Sequence, residues 1–166
     1  MRIALVVLLV ACAPVRVPRA AVEGESTLTV VTWNVNYGLA WGSEDLEEAT
    51  RGADVVLLQE TNAAWELRLS EGLRDRFPHQ RWLDDAAAGG QAVLSREPFT
   101  HEVLPAAHGW FPAMRVEVDG VQLLNVHLHP PIAENGSLIA GYFGTGPTRR
   151  RELSGFFASL DSRLPT

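Results

Sequence analysis

The chain has 166 residues, a length that fits one domain. With 46% hydrophobic and 20% charged residues it is neither a disordered tail, a collagen-like rod nor a polytopic membrane protein. The formal charge of −6, from 14 basic and 20 acidic residues, argues against a nucleic-acid binder built on a basic face, and the single Cys excludes an intramolecular disulfide.

The N-terminus reads as a targeting segment. Met1-Arg2 is a minimal basic start, and Ile3 to Ala11 is an unbroken apolar run. A membrane-spanning helix needs about 20 residues, so this run fits the apolar core of a secretory signal. Leu9-Val10-Ala11-Cys12 resembles the lipobox of bacterial lipoproteins, whose Cys is lipidated and becomes the new N-terminus. The rival readings are plain secretion with cleavage after Ala13, or no signal at all. The lipoprotein reading makes residues 1–11 the signal peptide and Cys12 the lipid anchor. Residues 12–26, which contain two Pro and one Gly and show no periodic pattern, are then a tether. Extended at ~3.1 Å per residue, such a tether reaches about 40 Å from the bilayer. The expected location is the extracytoplasmic side of a bacterial membrane, with secretion as the alternative.

From residue 27 the pattern alternates strands and helices. Leu28 to Trp33 is rich in β-branched residues and reads as a strand. Ser43 can cap a short helix, with Glu44 and Asp45 in its first turn. Asp54 to Gln59 is a nearly continuous apolar run, as in a strand buried on both faces. Thr61 or Asn62 caps the next helix, whose Trp65, Leu69 and Leu73 recur every four residues on one face. Gln80 to Leu83 and Gln91 to Leu94 are short strands. Asp119-Gly120 between Met114–Val118 and Val121–Leu128 is a strong hairpin signal, and Pro130-Pro131 ends the second strand. Ile132 to Gly146 reads as a loop. A last helix starts near Pro147 or Thr148, with Leu153, Phe156, Phe157 and Leu160 on one face.

The candidate chemistry lies at strand ends, the usual place for a site in a layered α/β protein. One strand ends in Trp33-Asn34-Val35-Asn36, the next in Gln59-Glu60, and the hairpin's second strand in Asn125-Val126-His127-Leu128-His129. Glu60 at a strand mouth is a good hard-cation ligand. Asn34 can orient it or ligate through its amide oxygen. Mg²⁺ suits one carboxylate supplemented by waters and phosphate oxygens. Plainer roles exist for each: a helix-N-terminal charge for Glu60, a turn-former for Asn34, a core histidine for His127, a solvated face for Arg149-Arg150-Arg151. His127 and His129 could share a Zn²⁺, but no Cys or third nearby His completes that set. His129, Asn36 and Tyr142 are placed near the same cleft, with His129 and Asn36 as candidate substrate contacts.

Four segments in order resemble the endonuclease/exonuclease/phosphatase superfamily, the DNase I-like group. They are Trp33-Asn34, Asp54 to Gln59-Glu60, Gly90 to Pro98 (Gly-x-Ala-aliphatic-Leu-Ser-Arg-x-Pro), and Asn125 to Leu128, with Val126 where the family has Thr. The resemblance spans residues 28 to about 160. It implies an α/β fold, a DNase I-like four-layer α/β sandwich of two packed β-sheets. It also implies Glu60 as the main Mg²⁺ ligand (Mn²⁺ as the alternative), with Asn34 in support, and His127 as the catalytic contact to a phosphate. The partner would be a phosphate-ester substrate: a small phosphodiester, a phospholipid head group or nucleic acid. No obligate protein partner is expected. Two family motifs, Gly-Asp-Phe-Asn and a closing Ser-Asp-His, do not occur in these residues. The expectation is therefore a domain over 27–166 whose C-terminal part is missing and whose hydrolase activity is weak or lost. The alternative is a non-catalytic envelope lipoprotein or binding module that retains the scaffold.

Overall fold

A computed structural model describes residues 27–38, 43–106, 108–132 and 136–166. The readings on the signal, Cys12 and the tether fall outside the described residues. Among the described residues, seven strands form two sheets. Sheet one holds β1 (Val30–Asn34), β2 (Val55–Gln59), β3 (His79–Leu83) and β4 (Gln91–Ser95), in the order β1-β2-β4-β3. β1 and β2 are parallel; β4 runs antiparallel to both β2 and β3. Sheet two is an antiparallel meander of β5 (Thr100–Leu104), β6 (Ala113–Val118) and β7 (Val121–Val126). The helices are α1 (Ser43–Ala49), α2 (Ala63–Gly72), α3 (Leu138–Gly144) and α4 (Gly146–Phe157).

Side-chain alternation assigns each strand face to a layer. Val56, Leu58, Ala92 and Leu94 point from sheet one to Leu46 of α1 and to Trp65, Leu69, Leu73 and Phe77 in and after α2. Val55, Leu57 and Val93 point the other way and meet Met114, Val116 and Val118 of β6, so the two sheets pack face to face. The outer face of sheet two gives Leu104, Ala113, Leu124 and Val126 to Phe156 of α4. The result is a four-layer α/β/β/α sandwich, as the sequence led one to expect. β2 and β4 are buried along their whole length because layers cover both faces. Each fully buried Leu contributes about 2 kcal/mol on leaving water.

Local signals place the element ends. The Asn62 side chain accepts from Ala64 N and Trp65 N and so caps α2. Asp119 and Gly120 sit at φ +51° and +73°, the type I′ turn that matches strand twist in a two-residue hairpin. Asp54 and Arg96 close the end of sheet one opposite the candidate site. The Asp54 carboxylate accepts from Thr29 N at 2.8 Å, and Arg96 Nε donates to Ala53 O at 2.7 Å.

Four expectations need correction. β5 has no counterpart in the sequence reading, because Thr100 to Val103 are exposed and carry no apolar alternation. The segment 132–146 is not all loop: α3 lies within it, started by Ser137, whose Oγ accepts from Ala140 N. The face of α4 differs as well. Glu152 and Phe156 are its buried residues, whereas Phe157 is 55% exposed and Leu160 lies beyond the helix. Phe156 and Phe157 are neighbours in sequence, about 100° apart around a helix, so one packs inward and the other does not. Finally, β7 ends at Val126, which leaves His127 to His129 in irregular backbone.

Candidate active site

The parallel pair β1 and β2 ends in register, Asn34 opposite Gln59, so the residue after β2, Glu60, emerges beside Asn34. Glu60 adopts φ +60°, the left-handed region that costs a non-glycine residue about 1 kcal/mol. That strain is held by the two residues that follow. Thr61 N donates to Gly90 O at 3.0 Å, and Asn62 is committed to the α2 cap. Gly90 allows the approach: a Cβ there would lie 2.1 Å from Thr61 O. The first glycine of the Gly90–Pro98 motif is thus needed by the loop that carries Glu60.

The Glu60 carboxylate is tightly oriented. Asn34 Nδ2 donates to Oε1 at 2.7 Å, and Tyr37 N donates to Oε2 at 3.1 Å. His127 Nε2 lies 3.3 Å from Oε1. The Asn34 amide is itself fixed, since its Oδ1 accepts from Asn36 N at 2.9 Å. A backbone N–H only donates, so the oxygen must face Asn36 and the NH₂ must face Glu60. Asn34 therefore acts on Glu60, and Asn36, at φ +60°, enters this geometry through its backbone N–H.

His127 is held from two further directions. Its Nδ1 donates to Ala88 O at 2.9 Å, since a carbonyl only accepts. Phe111 stacks on the ring, 4.4 Å between centroids and 2° from parallel. Gln91 Nε2 donates to Pro112 O, which ties the Phe111 segment to β4. His129 packs against Trp110 at 4.3 Å and its Nδ1 donates to Pro130 O at 2.7 Å. Its backbone N–H donates to the buried Glu152 carboxylate at 3.0 Å to Oε2.

Asn34, Glu60, His127, His129 and Arg149 line one cleft of about 360 Å³, whereas the candidate substrate contact Asn36 is not among its lining residues. Tyr142 stands 73% exposed on α3 against Phe143 and is not among the lining residues. Glu60 and His127 keep 22% and 13% of their side-chain surface exposed, enough for a ligand to reach them. Among the described residues, no three His, Cys, Asp or Glu side chains gather into a metal cage. One oriented carboxylate in an open cleft can instead hold a divalent cation that keeps most of its waters.

Sequence reasoning missed Tyr37, Ala88, Trp110, Phe111 and Glu152. Tyr37 and Ala88 act through backbone groups, which leave no residue-type signal. The stacking of Phe111 on His127 joins segments that only the fold brings together.

The family model described as the Endonuclease/Exonuclease/phosphatase family matches residues 31–160. No curated protein matches in sequence. Among solved structures, D. rerio TDP2 humanized by 14 mutations superposes with a TM-score of 0.54 at 16% identity, over 81% of this chain and 60% of that one. The 3′ phosphatase NExo from Neisseria, bound to a product DNA hairpin, gives 0.50 at 20% identity, over 79% and 51%. TDP2 from C. elegans gives 0.50 at 16%, over 78% and 44%. At these identities the likeness speaks for the fold, and the chain spans roughly half the length of the structures that it matches. The matched segment takes in every strand but the first residue of β1, and it includes Asn34, Glu60 and His127; the chain belongs to the Endonuclease/Exonuclease/phosphatase family.

Proposed function

We propose that these residues form the metal- and phosphate-binding half of a Mg²⁺-dependent phosphoester hydrolase. The observation that carries this reading is the Glu60 carboxylate, fixed by Asn34 Nδ2 and Tyr37 N and faced by His127 Nε2 in an open cleft. Mg²⁺, or Mn²⁺ in its place, would be held by Glu60, with the Asn34 amide setting the carboxylate's orientation. When bound, the ion supplies neutralisation of phosphate charge and of the leaving oxygen. His127 keeps Nδ1–H on Ala88 O and turns Nε2 to the cleft. From there Nε2 is placed to meet a phosphate oxygen as charge builds. His129 and Arg149 line the same cleft and would contact the rest of a phosphate-ester substrate, such as a small phosphodiester, a phospholipid head group or a nucleic-acid end.

The proton acceptor for the attacking water is, by family resemblance, in Ser-Asp-His, which these 166 residues do not contain. Missing a general base lowers a rate by about 10²- to 10⁴-fold. Hydrolysis by these residues alone is therefore weak or absent under this reading. A non-catalytic module that keeps the scaffold is the second reading. The lipobox-like Leu9 to Cys12 supports a lipid anchor outside the cytoplasm of a bacterium, with plain secretion as the alternative.

The test begins with binding. Mn²⁺ electron paramagnetic resonance on the 166-residue chain should find one site that Mg²⁺ competes away and Glu60→Gln removes. Binding that survives Glu60→Gln contradicts the assignment. Hydrolysis of a chromogenic phosphodiester should then appear when the chain is joined to a segment carrying both missing motifs. It should vanish with EDTA. Persistent silence in that fusion, with Mn²⁺ bound, favours the non-catalytic module.

A further inference from the structure

α3 is built inside out. Leu138, Ile139, Tyr142 and Phe143 are 66%, 77%, 73% and 80% exposed, while the buried residue of the helix is Gly141. At about 100° per residue the four apolar side chains share an arc of about 140°, with Gly141 on the other side. The small residue therefore faces the protein and the large ones face out. A lone exposed leucine such as Leu67 is ordinary on a soluble surface, but four adjacent apolar side chains mark an interaction site.

The chemistry beside this face selects its partner. Gly136 to Arg151 contains no Asp or Glu, although the chain carries −6 overall. Arg149, Arg150 and Arg151 lie in the first half of α4, the helix after α3, and are exposed, and Phe157 lies on the Arg150 face two turns on. Aliphatic and aromatic side chains beside free arginines are the pattern of an interfacial helix, whose apolar face enters the acyl boundary while cations meet anionic head groups.

We propose that the outward face of α3, together with Arg149–Arg151, docks on an anionic phospholipid membrane. Arg149 also lines the cleft of Glu60 and His127, so docking brings the cleft mouth to the head-group layer. The surface stands apart from the lipid anchor proposed above, and it also stands if the cleft binds no metal.

The experiment uses the full chain with Cys12→Ser and an NBD label placed by Ile139→Cys, or by Leu67→Cys as a control on the opposite layer. Phosphatidylglycerol vesicles should shift the emission of the label at 139 to the blue and leave the label at 67 unchanged. Phosphatidylcholine vesicles should do neither. Each Arg→Ser change in the triplet should lower the vesicle partition read at 139 about fivefold. Phe143→Ser should weaken it while leaving the melting temperature unchanged. The proposal fails if the chain cosediments with vesicles and the label at 139 stays in water, or if both labels shift alike. Blue emission without vesicles overturns it too: concentration-dependent, it marks a second copy on this face; concentration-independent, a segment of the same chain.

Discussion

Gln59 and Glu60 are neighbours in one motif, yet they serve opposite ends. Gln59 stays in β2 and points between the sheets. Its Nε2 donates to Asn125 Oδ1 at 2.6 Å, and Asn125 Nδ2 donates to Leu58 O and Ala92 O at 2.9 and 3.1 Å. Both amides are enclosed, Gln59 at 8% and Asn125 at 1% exposure. Glu60, turned by its positive φ, leaves the strand for the cleft and keeps contact with solvent. A carboxylate in the enclosed position would lose hydration without a cation, whereas the Gln59 NH₂ there meets Asn125 Oδ1, Thr32 Oγ1 and Leu57 O. The pair teaches where the family motif divides: one half ties the sheets together, the other half is left open for a ligand.

Cutting the enclosed half should have the largest effect. Asn125→Ala strands Leu58 O and Ala92 O and leaves Gln59 without its main partner, so it should lower unfolding free energy by about 3 kcal/mol. Urea denaturation measures this, and a loss below about 1 kcal/mol means that the amide bridge between sheets is not a principal support. Gly90→Ala comes next. Its Cβ meets Thr61 O at 2.1 Å, so backbone must shift, at about 2 kcal/mol. Because Thr61 follows Glu60, this variant should also weaken Mn²⁺ binding, which Asn125→Ala disturbs only through global unfolding.

Much of this division was legible beforehand, because it rests on residue type at strand ends. The continuous apolar run of β2, the four-residue spacing of Trp65, Leu69 and Leu73, and the Asp119-Gly120 turn each follow from local chemistry. Asn34, Glu60 and His127 could be singled out because their motifs lie where strands stop. β5 escaped notice because an exposed strand needs no apolar alternation; its partner β6 supplies the pairing. α3 escaped because its apolar residues face solvent and its glycine faces the protein, the reverse of the pattern that periodicity reads. The α4 face was misjudged because a buried charge, Glu152, takes an inner position, where it accepts from His129 N. Pairings such as Phe111 on His127 exist only once the β5–β6 connection folds over the end of β7.

Cutting the open half should leave the fold nearly untouched. Glu60→Gln keeps the shape and an acceptor for Asn34 Nδ2 or Tyr37 N, so stability should stay within about 0.5 kcal/mol. Divalent-ion affinity should nevertheless fall at least about tenfold, as for the loss of a group that holds or orients a metal. Paired calorimetric melting and Mn²⁺ titration separate the two effects. A large loss of stability with unchanged affinity would reverse the roles assigned to Gln59 and Glu60.

The smallest effect belongs to a carboxylate that is open but already paired. Arg163 donates to Asp161 through its guanidinium and its backbone N–H, at 2.9 Å from Nε and from N to Oδ1. This holds the Asp161 carboxyl well below the usual carboxylate range. A folded-state value below the unfolded one gives stability that is present above the unfolded pKa and is lost as pH falls through the carboxylate range. Arg163 is exposed and Asp161 partly so, so water and salt screen the pair and its contribution is slight. Arg163→Ala should therefore leave the urea midpoint at neutral pH within replicate scatter. Any residual difference from the parent chain should shrink as the solution is acidified below the ordinary Asp pKa. A sizeable difference that persists in acid would show that Arg163 supports the fold through its contacts rather than its charge. Asp161 would then rank with the enclosed Asn125: its backbone bonds to Gln122 of β7 (Asp161 N to Gln122 Oε1, 2.8 Å) would be the support that the substitution disturbs.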